Sequence, residues 1–324
     1  MKKKIVALWS FSVLIILMIV LVAFFGKNKT NHNEKPLIIA TLFPQYDFAK
    51  HIVGDKMDVE LLVKAGVETH NYEPTAKDMM RILNNSDMFL YTGETLEPWT
   101  EKITQNLRED NKKVVNVASN VDLIKIEDFE KKHINSWAEH NDHEEDEHDD
   151  HEEIYDEHIW LNMDNSIKMI DNILKEVVDA DPENKDYYEK NAKAYKDEIL
   201  KLKGDYENLV KNAKRKEIAV GGEFAYAYLV DELGLNFVSV YDNCGEGEDP
   251  SISRIKFVID YINKNNIPVV YYEELSEGTI AKMISEETKA EKKVLYSIHN
   301  GDTEKDTYVS LMRENYNNLK KGLE

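Results

Sequence analysis

One cysteine, Cys244, is all the thiol this 324-residue chain contains. An intramolecular disulfide is therefore excluded, and any part outside the cytoplasm must be held by its core alone. Lipid attachment at a cysteine directly behind an N-terminal apolar run is excluded as well, because Cys244 stands far from such a run. Its neighbours Glu246, Glu248 and Asp249 disfavour a thiolate, so it is a poor metal ligand. Basic charge is also scarce: 41 Lys and Arg face 62 Asp and Glu, for a formal net charge of −21. No basic stripe occurs beyond the N-terminus, which argues against nucleic acid as a partner. There is no HExxH stretch and no recognisable nucleophile or oxyanion motif, so nothing points to an enzyme. A calcium loop starting at Asp242 fails because Ser253 falls where the bidentate Glu belongs. Asp249-Pro250-Ser251 reads more simply as the cap of the helix that follows.

What is abundant is acid and histidine in one place. Residues 139–157, EHNDHEEDEHDDHEEIYDE, hold four histidines and twelve carboxylates without a Lys or Arg. Removing those twelve charges from −21 leaves −9 for the rest of the chain. Carboxylates gather divalent cations, and imidazoles three residues apart (His140 and His143, His148 and His151) favour zinc, copper or nickel over magnesium or calcium. The segment lacks cysteine and is too polar to build a core, so it reads as an auxiliary loop that collects metal weakly.

At the N-terminus, Lys2, Lys3 and Lys4 precede an apolar stretch from Ile5 to Phe25, long enough to cross a bilayer. Residues 1–29 are expected to act as a membrane anchor or signal segment. Phe24-Phe25-Gly26-Lys27 is a poor cleavage site, which favours an uncleaved anchor with everything beyond it on the extracytoplasmic face. Residues 30–36 read as a tether.

From there strand and helix alternate. Apolar runs at 37–42, 59–63, 88–91 and 114–117 read as buried strands with helices between them, and a second series follows at 218–222, 237–240, 269–272 and 294–297. The expected fold is α/β: two lobes, each a four-stranded, mostly parallel sheet flanked by helices, bridged by one long rigid helix. The lobes span 37–182, which includes the acidic loop 138–157, and 214–324; the linking helix is 183–213. In that helix Tyr188, Ala192, Tyr195, Ile199, Leu202, Tyr206 and Leu209 recur at 4-3 spacing, a stripe that buries one face. A coiled-coil dimer would show the same stripe. The reading preferred here is a spine against both lobes of a monomer, which leaves an interlobe site largely preformed.

Ligands of open parallel sheets bind beyond the carboxyl ends of the strands. His70 follows the second strand, Glu223 the fifth and His299 the last, while His158 precedes an apolar helix in YDEHIWL. Lobes facing each other would gather three imidazoles and a carboxylate, a set suited to tetrahedral Zn2+.

The succession GVETHNYEPTAKDM, YDEHIWL, EFAYAYLVDELGL, EDPS and TYVSLMRENYNNLKKGL resembles the extracytoplasmic metal-binding subunits of bacterial zinc and manganese ABC importers, over nearly all of residues 37–323. The resemblance implies two lobes joined by a long helix, a metal between them, and an ABC permease as partner. His70 and His158 match the first two ligands of that family. The third is commonly a His in a His-x-Ala-Phe-x-Tyr stretch, where this chain has Glu223; the fourth is often an Asp, where Ile298 stands one place before His299. Three imidazoles favour zinc, with manganese the lesser expectation. An anchored zinc hydrolase with Glu223 as base, and a surface zinc buffer, are the alternatives from other classes.

Overall fold

The computed structural model describes residues 35–67, 72–93, 96–132, 154–241 and 250–324. Residues 37–324 form one compact unit. Its first sheet contains β1 (Leu37–Ala40), β2 (Asp58–Leu61), β3 (Met88–Tyr91) and β4 (Lys113–Asn116), in the order β2-β1-β3-β4 and parallel throughout. The second repeats the plan with β5 (Glu217–Val220), β6 (Asn236–Ser239), β7 (Val269–Tyr272) and β8 (Glu291–Val294), in the order β6-β5-β7-β8. Parallel neighbours need crossovers. Around the first sheet these include α1 (Phe43–Val53), α2 (Ala76–Asn85) and α3 (Glu101–Glu109), and α4 (Ile126–Lys132) and α5 (Met163–Ala180) follow β4. A 28-residue helix, α6 (Lys185–Asn212), leads to the second sheet and its helices α7 (Ala227–Leu233), α8 (Ile252–Asn265), α9 (Thr279–Thr288) and α10 (Tyr308–Leu323).

Period-two alternation explains how the sheets are covered. Ile38 and Ala40 of β1, Ile218 and Val220 of β5, and Val269 and Tyr271 of β7 all belong to one core. Ile39 faces the opposite side of its sheet in a smaller cluster with Ile82 and Leu107, and Ala219 and Val270 do the same in theirs. The shared core is built on α6, whose seven stripe residues are all buried. The stripe is covered by the chain's own α1, α5 and α10, so it is a spine and not a seam awaiting a second copy. Three of its tyrosines bury their rings while their hydroxyls find acceptors: Tyr188 on Asp181, Tyr195 on Asp47, and Tyr206 on the Met312 carbonyl. Asp47 also accepts from the backbone N–H of Tyr308 at 3.1 Å, so one buried carboxylate joins α1, α6 and α10.

Edges of elements depart from the apolar pattern. β8 begins three residues earlier than the 294–297 run, because it is an edge strand whose Lys292 and Lys293 carry no apolar signal. Helix α7 begins at Ala227, leaving residues 223–226 outside any helix or strand. No helix among the described residues is long and apolar enough to cross a membrane, and the N-terminal apolar run lies outside them.

One buried acid makes stability depend on pH. Glu97 is 6% exposed and accepts from Thr92 N–H, the Thr92 hydroxyl and the Thr41 hydroxyl. Burial lifts its carboxyl to about 7 against those three donors, with a smaller push from Glu157. A raised acid favours the folded state in its protonated form. Its contribution is whole below the unfolded value of about 4.5 and is lost as the pH climbs through about 7, on the order of 3 to 4 kcal/mol in all. Urea unfolding at pH 5 and pH 8.5 should therefore show a steeper loss with rising pH for the native chain than for Glu97→Gln. Parallel losses in both would show that Glu97 is not the titrating group.

Candidate metal centre

Two of the four candidate ligands meet in the interior. His158 is the residue before a 3-10 turn (Ile159–Leu161) and is 1% exposed; His299 lies beyond β8 and is 5% exposed. Their ring centres are 5.8 Å apart with planes tilted by 40°. Two imidazoles on one zinc, at Zn–N distances of about 2.0–2.1 Å, have ring centres roughly 5–6 Å apart, so this pair is spaced to share an ion.

Both rings are held by a polar side chain two residues upstream. Asp156 accepts from the His158 backbone N–H at 2.9 Å, and its Oδ1 lies 3.2 Å from His158 Nδ1. A carboxylate only accepts, so the proton sits on Nδ1. At His299, Nδ1 lies 2.9 Å from Ser297 Oγ, and that hydroxyl donates to Glu274 Oε1 at 2.9 Å. The serine proton is thus committed to the carboxylate, and Ser297 Oγ accepts from His299 Nδ1–H. In each ring the lone pair is left on the buried Nε2, the tautomer a metal requires.

Glu274 does more than orient the serine. Its Oε2 accepts from Ser297 N–H at 2.8 Å and its Oε1 from Ile298 N–H at 3.1 Å. Burial raises its carboxyl, and these donors work in the opposite direction. The clasp matters because Ile298 has φ +66°, a conformation a β-branched residue adopts only under constraint. From the other lobe, Trp160 Nε1–H donates to the Ser297 carbonyl at 2.7 Å, and the Trp160 carbonyl accepts from the Tyr308 hydroxyl at 2.8 Å.

Glu223 lines a cavity of about 300 Å3 together with His299, Glu273, Ser276 and Thr279 at the carboxyl end of the second sheet. Glu273 sits against Gly222, where a Cβ would come within 2.3 Å of its Oε2. Burial raises the Glu273 carboxyl, and the charges of Glu223 and Glu274 add to the shift. The cavity is thus acidic and short of positive charge.

His70, His140, His143, His148, His151 and Cys244 lie outside the described residues. Among the described residues no three His, Cys, Asp or Glu side chains converge closely enough to hold an ion by themselves. His158 and His299 are brought together, and Glu223 shares the cavity that His299 lines.

The profile of the zinc-uptake complex component A family, described as periplasmic, matches residues 38–322. The chain belongs to that family. The high-affinity zinc uptake system protein ZnuA of Bacillus subtilis is 31% identical over 324 residues, covering 97% of this chain and 98% of its own length. The zinc-binding lipoprotein AdcA of Streptococcus pneumoniae is 32% identical over 299 residues; the match takes in 90% of this chain but only 57% of that longer protein. In three dimensions, the Zn(II)-bound ZnuA-like domain of the same AdcA superposes with a TM-score of 0.70 at 29% identity, over 89% of this chain and 99% of that one. The zinc-uptake family fold is therefore the frame in which the His158–His299 pair sits.

The residues that sequence reasoning missed are the ones that aim the two imidazoles. Asp156 and Ser297 carried a signal, since each is a polar residue two places before a histidine. Glu274 carried none, because its partners lie 23 and 24 residues away.

Proposed function

We propose that this chain captures Zn2+ between its two lobes on the extracytoplasmic face of the cell membrane and delivers it to the permease of an ABC importer. The observation that carries the reading is the His158–His299 pair: two buried imidazoles from opposite halves of the fold, each with its lone pair on Nε2, at a spacing that suits one zinc. Membership of the zinc-uptake family supports it. In this reading His70 supplies the third imidazole and Glu223 the carboxylate, with water as its replacement if Glu223 turns away. Imidazole-rich ligation favours zinc over manganese. Residues 37–182 and 214–324 act as the lobes, 183–213 as the link, and residues 1–29 hold the protein at the membrane through the tether 30–36. His140, His143, His148 and His151 collect zinc weakly.

Calorimetric titration of the metal-stripped, full-length protein in detergent, with a competing chelator, should find one tight zinc site, a weaker response to manganese, and further weak zinc sites that vanish when residues 139–153 are deleted. Ligating imidazoles must be unprotonated, so tight affinity should fall steeply below about pH 6. Zinc retained undiminished at pH 4.5 would exclude histidine ligation.

A further inference from the structure

The loop that carries His299 is gripped by the opposite lobe through its neighbour. Asn300 is 5% exposed and reaches across to the turn that follows β2. Its Oδ1 accepts from Gly66 N–H at 2.9 Å, and its Nδ2 donates to the Val67 carbonyl at 2.9 Å. Reversing the amide would set donor against donor and acceptor against acceptor, so its orientation is fixed by its partners. The turn is built to be read this way. Val67 N–H donates to the Lys64 carbonyl at 3.2 Å, and Gly66 sits at φ +82°, the third position of a type II turn, where glycine is required. A Cβ on Gly66 would touch nothing, so the glycine is there for its backbone and not for space. On either side of Asn300 the same segment is pinned again: Phe43 N–H donates to the His299 carbonyl at 3.5 Å, and Gly301 lies where a Cβ would come within 2.5 Å of the Phe43 ring.

We infer that Asn300 is the positioning residue that sets the metal centre across the lobes, by locking the His299 peptide to the Lys64–Val67 turn. It touches no metal itself. Two hydrogen bonds to consecutive backbone groups fix both distance and rotation, which one bond cannot do. His70 stands three residues beyond Val67 in the sequence, so the clamp joins two stretches that carry ligands in the proposed function, on which this inference rests. A residue that fixes the separation of two ligand-bearing loops governs how fast metal escapes more than how fast it arrives, because the bound geometry must first be pulled apart.

The test is zinc affinity and zinc off-rate in the full-length protein, by chelator competition, for the native chain, Asn300→Ala, Asn300→Asp and His299→Ala, with Asn300→Ala repeated in the His299→Ala background. Asn300→Ala should weaken zinc about 10- to 100-fold, the range for groups that orient ligands, with most of the change in the off-rate. Asn300→Asp keeps the size and the acceptor for Gly66 but loses the donor to Val67. Its added negative charge would by itself tighten a cation, so weaker binding in this variant has the broken clamp as its cause, and it serves if the alanine variant does not fold. Once His299 is gone, removing Asn300 should cost less than about threefold, because the side chain acts through that ligand. An unchanged zinc off-rate in both Asn300 variants would overturn the inference, as would equal losses with and without His299, which mark a general stability effect. If His299→Ala alone leaves tight zinc intact, it is the proposed function that fails, whatever Asn300 does.

Discussion

His158→Ala should abolish tight zinc binding while leaving the fold in place. The ring is enclosed, packs edge-on against Trp160, and spends Nδ1 on Asp156. Its removal leaves a small polar-edged hole in a structure whose core is carried elsewhere, by the α6 stripe and the strands that pack on it. The loss of a direct ligand should exceed the 10- to 100-fold typical of groups that only orient one, so a fall of more than about a hundredfold is expected. Asp156→Asn is the graded control. An amide can rotate its oxygen toward Nδ1–H and keep the tautomer, but it lacks the charge, so its loss should stay within that outer range. Thermal unfolding provides a second reading. Zinc at a thousand times its dissociation constant stabilises the native protein by about 4 kcal/mol, and that zinc-dependent rise in Tm should vanish in His158→Ala while the metal-free Tm moves little. A variant that keeps both the tight site and the Tm rise would place the centre away from His158.

Much of the architecture is legible in the sequence because it is written in period. Buried parallel strands are short apolar runs, and β1, β3 and β7 are such runs; the 4-3 stripe of α6 is a single buried face. β8 was read too late because an edge strand need not be apolar, and its Lys292 and Lys293 look like loop. The ambiguity between spine and coiled coil could not be resolved from the stripe, since burial of one helical face looks the same whichever chain covers it. The site divides along similar lines. A histidine after a strand, His299, can be picked out by topology, and it does meet His158, which stands ahead of a helical turn. What aims them is long-range or backbone-directed: Glu274 against residues 297 and 298, and Asn300 against residues 66 and 67. Such contacts have no period. Ile298 shows why a local rule also misleads here, because a β-branched residue predicts extended backbone, and the structure holds it at φ +66° by means of a carboxylate far away in sequence.

That carboxylate is the second place where one substitution should have a large effect. Glu274→Gln conserves volume, so packing around the turn is retained, yet the amide cannot accept at both ends. If its oxygen takes the Oε1 place, Ser297 Oγ–H and Ile298 N–H keep their acceptor, but the NH2 then faces Ser297 N–H, donor against donor. If the amide is turned round, the NH2 confronts Ile298 N–H, and the serine must swing its own proton away, toward His299 Nδ1. The histidine then carries its proton on Nε2 and cannot ligate until it changes tautomer. One arrangement frays the strained turn and the other inverts the ring. Each leaves a buried donor unsatisfied, at about 1–3 kcal/mol, and zinc affinity should fall about 10- to 100-fold. Ser297→Ala separates the two routes. It removes the relay but leaves Glu274 its two backbone donors, so it should weaken zinc while costing less stability than Glu274→Gln. The double variant should bind zinc no more weakly than Glu274→Gln alone, because serine and glutamate act on the same nitrogen. Additive losses in the double variant would mean that Glu274 supports the centre through its clasp on the backbone of residues 297 and 298 and not through the Ser297 hydroxyl and His299.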